Sequence, residues 1–239
     1  VGGQVSAEEP WHRVDRFIAQ KWRELQIEPA GYASDGQWVR RVYLDLVGRS
    51  PTSEELGNFV ADSREDKRAA LVDVLLESED YAQHFADVFD FLLMGRTDEG
   101  KYSQRVQHKW RSYLETVFRD NRPWDDVVAE FLVGRPQSDR DQGAVWFLYE
   151  RQNKHQEIAE AIAPAVFGIR IECAQCHDHM MVDEIKQQHY WGLVAFFNRS
   201  KNVSTQNGPR MAEAAIGGFS EFADSYGDSS PNLLSFLGV

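Results

Sequence analysis

Cys173, Cys176 and His177 fall in one window, Cys173-Ala174-Gln175-Cys176-His177. This C-x-x-C-H spacing is that of covalent attachment of a c-type haem. Two thiols three positions apart reach the two vinyl groups of one porphyrin, and the adjoining imidazole is held beneath the iron as its proximal ligand. The whole chain has 239 residues with two cysteines and seven histidines, so chance seldom sets them in this order. The same atoms support two other chemistries. A C-x-x-C pair is also a redox dithiol. Cys173, Cys176, His179 and His189 together offer two thiolates and two imidazoles, the set that tetrahedral zinc takes. Zinc would leave His177 without a role, and a chain of this size needs no structural metal. The dithiol lacks the βαβ surroundings of thioredoxin-like motifs. One covalent haem c is therefore the leading expectation, with Cys173 and Cys176 as thioether donors and His177 as iron ligand.

A six-coordinate electron carrier needs a second axial ligand, commonly His or Met. His179, Met180 and Met181 stand too near His177 to reach the opposite face, and His179 is expected to bond a propionate or a carboxylate such as Asp183. The remaining candidates are His84, His108, His155 and His189, each of which also reads as a surface or capping histidine. An open iron would instead permit peroxide chemistry or gas sensing. There is no phosphate-binding glycine loop, nucleophile elbow or H-E-x-x-H. The pairs Glu54-Glu55 and Asp125-Asp126 read as helix N-terminal charges rather than acid/base machinery. A haem-binding or electron-transfer domain is thus a better reading than an enzyme.

The elements that must position this window read as helices. Trp11, Val14, Phe17, Ile18, Trp22 and Leu25 recur at steps of three and four, as do Trp38, Val39, Val42, Tyr43 and Leu46. Gly48 and Pro51 stop the second of these, and Thr52 with Glu55 forms a capping box that starts a third. Ser78 caps a further helix with Tyr81, Phe85, Val88, Phe89 and Leu92 on its inner face. Tyr102 to Val117 reads as one helix, and Trp124 to Leu132 as another, before a polar loop from Gly134 to Gly143. Ile158, Ile162, Val166 and Ile169 line the helix that delivers the chain to the cysteines, bent at Pro164. The last helix carries Leu193, Val194, Phe196 and Phe197. The expectation is an all-α fold: a leader segment over 1–10, a single globular helical domain over 11–199, and a less ordered tail over 200–239 with a short helix near Met211 to Ile216.

Composition narrows the function classes. Lys and Arg total 26 against 38 Asp and Glu, a net charge of −12, which disfavours nucleic acid and anionic membranes as partners for the chain as a whole. No apolar run is long enough to span a bilayer. Cysteines three apart build no disulfide scaffold, and a 42% hydrophobic content describes a folded domain. The acidic balance favours a redox partner of basic character. Covalent haem attachment takes place outside the cytoplasm, so a periplasmic or extracellular location is expected, and Val1-Gly2-Gly3 shows no charged or apolar leader of its own.

The segment from Ile169 to His179, followed by His189-Tyr190-Trp191-Gly192-Leu193-Val194-Ala195-Phe196-Phe197, resembles the core of the planctomycete cytochrome-like domains of unknown function. Val14-Asp15-Arg16-Phe17-Ile18, the run from Arg40 to Gly48 with Pro51-Thr52, and Asn121-Arg122-Pro123-Trp124-Asp125 are similar to further blocks of that family, in the same order. Together they cover about residues 11 to 199. The resemblance implies that the chain is one part of a large exported bacterial protein and carries a covalent haem. Two positions depart from the family pattern. Met180 and Met181 stand where proline is usual after His-Asp-His, and Val88 stands near a family histidine.

Overall fold

The computed structural model describes residues 10–223 and 227–233. Helices come first: α1 (Pro10–Glu24), α2 (Asp35–Val47), α3 (Ser53–Ala61), α4 (Lys67–Leu76), α5 (Glu79–Met94), α6 (Glu99–Gln107), α7 (Trp110–Arg119), α8 (Trp124–Val133), α9 (Trp146–Tyr149), α10 (His155–Ile162) and α11 (Gln187–Phe197). A π-helical turn, Ala163–Phe167, and a 3-10 turn, Glu172–Gln175, lie between α10 and α11. The strands β1 (Ser200–Thr205), β2 (Gly208–Glu213), β3 (Phe219–Ala223) and β4 (Ser229–Leu233) follow.

Local chemistry sets several of these boundaries. Thr52 Oγ1 accepts the Glu55 amide at 3.2 Å while Glu55 accepts the Thr52 amide at 2.6 Å, the reciprocal capping box that starts α3. Ser78 Oγ accepts the Tyr81 amide at 3.2 Å and starts α5. Gly48 ends α2 at φ +71°, and a β-carbon there would also collide with the His84 ring of α5. Pro164 supplies no amide to the helical ladder, and the chain passes from α10 into the π-helical turn at that point.

Two apolar clusters hold the helices. The smaller joins Val39, Tyr43 and Val47 of α2 to Phe59 of α3 and Leu75 of α4. The larger runs through α5 and α7 to α11, with Trp110, Leu114, Phe131, Phe147, Ile158 and Tyr190 all at 1% exposure or less. Inside it lies a buried charge cluster. Arg105, 1% exposed, gives Nε and Nη2 to Glu150 at 2.8 and 2.7 Å, Nη1 to both oxygens of Asp90 at 3.1 Å, and Nη2 to the Met94 carbonyl. Trp110 and Trp146 donate their indole N–H to Asp90 and Glu150 at 2.7 and 2.9 Å. Arg151 lies over the Phe147 ring at 4.4 Å and donates to the Leu93 and Phe147 carbonyls; burial lowers its pKa to about 10.

The all-α expectation is corrected by the strands. β1 pairs antiparallel with β2, and β3 with β4, as two two-stranded sheets. Between the first two strands Gln206-Asn207 makes the connection, and Gly208 follows at φ +103°; of the expected tail, residues 224–226 and 234–239 lie outside the described residues. The helix expected near Met211 to Ile216 is instead strand up to Glu213, with Met211 5% exposed in the main cluster and its amide bonded to the Gly134 carbonyl at 2.8 Å. Three smaller corrections concern the helices. The helix expected from Tyr102 to Val117 breaks at His108–Lys109, where Lys109 adopts φ +63°. The short α9 follows the Gly134 to Gly143 loop. The stripe on α1 is helical as expected, but no residue of α1 is buried. Of the leader segment, residues 1–9 lie outside the described residues.

Candidate functional site

The window sits on a loop whose apolar residues face the core. Ile171 and Ala174 are fully buried and Ile185 is 2% exposed, and between them the 3-10 turn leaves Cys173, Cys176 and His177 on the surface. The turn is clamped from α11. The Gln175 carbonyl, between the two cysteines, accepts from Gln187 Nε2 and from Trp191 Nε1, each at 3.1 Å. Asp178 Oδ1 accepts the Gln187 amide at 3.0 Å at the first turn of α11, and Oδ2 faces Lys186 Nζ at 3.3 Å. The Gln187 N–H and the Lys186 ammonium hold the Asp178 carboxyl below its usual range. Behind α11, Phe222 of β3 stacks on Trp191 with ring centres 6.1 Å apart, and Ser220 Oγ donates to the Trp191 carbonyl at 2.5 Å. Tyr190, on the same helix, is buried, and its phenol donates to Glu160 at 2.8 Å; burial, then that bond, push its pKa up.

His177 Nδ1 lies 2.7 Å from the Asp178 carbonyl. A carbonyl only accepts, so Nδ1 is the donor in this contact, and Nε2 is the ring nitrogen left for a ligand. A backbone acceptor on one ring nitrogen is a common way of orienting a metal-binding histidine. The two thiols are free, and Met180, Met181 and Val182 are exposed apolar groups on the same loop. Around them, Glu172, Asp178, Asp183 and Glu184 outnumber Arg170 and Lys186.

The other histidines are held by different parts of the fold. His84 meets Phe85 edge-on and packs over Gly48. His108 lies flat on Trp146 at 4.2 Å, and burial lowers its pKa. His155 opens α10, with Nε2 3.2 Å from the Ser200 carbonyl, and shares with Trp191 a cleft of about 400 Å³ that also takes in Lys154 and Val194. It is thus the histidine outside the loop and α11 that comes near the motif's supports. His189 Nδ1 accepts the Lys186 amide at 3.1 Å, at the start of α11. His179, for which a propionate or a carboxylate such as Asp183 is the expected partner, uses Nδ1 to accept the Met181 amide at 3.2 Å. Among the described residues, no three His, Cys, Asp or Glu side chains come together as a metal-ligating group, so Cys173, Cys176, His179 and His189 are not assembled as a fourfold set.

Gln187 and Asp178 were not legible as supporting residues. They act through main-chain groups of the motif, and a carbonyl leaves no trace in a residue pattern. Trp191 was visible only as part of a family block.

No curated protein and no solved structure matches the chain. A family model does, over residues 13–202, which runs from within α1 through the motif to the start of β1. The chain belongs to the PSCyt2 family, proteins of unknown function (DUF1549).

Proposed function

We propose that the protein binds one haem c covalently and serves as an electron-transfer domain within an exported protein. The observation that carries this reading is the exposed trio of Cys173, Cys176 and His177 on one loop, with His177 Nδ1 held by the Asp178 carbonyl and both thiols free. Cys173 and Cys176 would each add S–H across a vinyl group, forming one S–C bond and placing the hydrogen on the other vinyl carbon. The haem would supply one-electron iron chemistry. The chain's own part is to hold the thiols on a backbone fixed by Gln187 and Trp191, and to aim the imidazole. The excess of carboxylates around the loop suits a basic redox partner, whose approach would weaken with salt. Covalent attachment places the chain in the periplasm or outside the cell.

Intact-mass measurement of the denatured protein, produced in a host with haem-attachment machinery, tests the reading. A chain heavier by one haem is expected, and the Cys173→Ala/Cys176→Ala variant should lose that mass. An unmodified chain that contains zinc would overturn the proposal in favour of a Cys2His2 interaction module. His177→Ala should keep covalent haem but change its absorption spectrum. If the ferrous protein binds carbon monoxide readily, the iron is open and a carrier with two protein ligands is excluded.

A further inference from the structure

α1 presents an uncovered amphipathic surface. Trp11, Val14, Phe17, Ile18, Trp22 and Leu25 form one stripe and are between 40% and 59% exposed, and no residue of the helix is buried. Arg13, Arg16 and Arg23 lie off the stripe, with the Arg13 and Arg16 guanidinium groups 5.8 and 5.9 Å from the Phe17 ring, and Lys21 is nearer to it; only Asp15 and Glu24 oppose these four cations, in a chain whose net charge is −12. Charge in this helix therefore runs against that of the rest of the molecule.

We infer that α1 lies flat in the interface of an anionic lipid bilayer. A short helix with a polarised surface, Trp and Phe on one side and arginine on the other, sinks its apolar face to the level where headgroups meet acyl chains. At about 1.5 Å per residue its 15 residues extend only some 22 Å, and no helix among the described residues is long and apolar enough to cross a membrane. Lys21 separates a lipid surface from a protein groove as the occupant. It falls inside the apolar stripe, four residues from Phe17 and four from Leu25, and pairs with Glu24 at 3.2 Å. In a dry protein interface this ion pair would have to be desolvated, whereas at a bilayer the lysine stem follows the acyl chains while the charged groups stay at the level of the headgroups. Asp15 lies at the other rim of the stripe and opposes anionic headgroups. The charge that attracts lipid is thus local to α1.

Flotation with phosphatidylcholine vesicles, with and without one quarter phosphatidylglycerol, tests this on the purified chain. Binding to the anionic vesicles is expected, weakening as salt is raised, with little binding to the neutral ones. Trp11→Gln/Trp22→Gln should weaken it by more than tenfold, since each ring leaves the interface. Arg13→Gln/Arg23→Gln should weaken it about fivefold per charge removed, and Asp15→Asn should tighten it. None of these side chains is buried, so an unchanged thermal melt shows that the variants remain folded. No binding to either vesicle, equal binding to both, or self-association through α1 in place of lipid binding would overturn the inference.

Discussion

The Arg105 cluster and the Cys173–His177 loop treat polar groups in opposite ways. At Arg105 the charges are inside and saturated: all five guanidinium N–H groups have acceptors, and both carboxylates take a further indole N–H. Nothing there is left to offer a ligand. In the loop the Gln175 and Asp178 carbonyls and the Asp178 carboxylate are occupied, while the two thiols are free and they and His177 are exposed. A buried, fully bonded charge cluster fixes a fold. Reactive groups exposed on a pinned backbone are arranged for something that comes from outside.

Substitutions can break this contrast, and the largest effect is expected inside. Arg105→Met leaves Asp90 and Glu150 buried without their cation and should cost about 3–5 kcal/mol in urea unfolding. Glu150→Gln keeps an acceptor but removes the charge, and should cost about 1.5–3 kcal/mol at neutral pH. Burial pushes the Glu150 carboxyl up, but Arg105 and the Trp146 N–H outweigh it and hold it below its usual range. Its stabilising effect is therefore complete above the unfolded-state pKa, about 4.3, and fades as pH falls through the lower folded value. The gap between wild type and Glu150→Gln should close in acid, as followed by thermal melts at stepped pH. In the loop the effects on stability are smaller. Trp191→Phe removes one N–H donor from the Gln175 carbonyl and should cost about 1 kcal/mol, with a lower yield of haem-bearing chain by intact mass. Asp178→Ala removes the side-chain cap of α11 but not the carbonyl that orients His177. Little change in the haem absorption spectrum is expected; a loss of haem ligation would show that the side chain positions the imidazole too.

What the residue pattern made legible follows from where the physics is local. The capping box at Thr52 and Glu55, the Ser78 cap and the Gly48 stop each depend on neighbours within three or four positions, and each is present. The stripe of α1 is equally local, yet periodicity does not say what a face packs against, and the fold does not bury this one. The break at Lys109 was hidden because apolar spacing continues from Val106 to Trp110 across it. The sheets were missed because strands of five or six residues, two of them rich in Ser and Asn, resemble loops until a partner is found, and pairing is a long-range event. The site was visible as three side chains, while its clamp was not, since it reaches the motif largely through main-chain groups: the Gln175 carbonyl and the Gln187 amide.

The two residues between the cysteines are not equivalent. Ala174 points inward and is fully buried, whereas Gln175 is bound through its main-chain carbonyl, which any residue would supply. A deep mutational scan should therefore find the first position a filter for size, accepting glycine or serine and rejecting anything bulkier, and the second tolerant of most of the amino-acid alphabet.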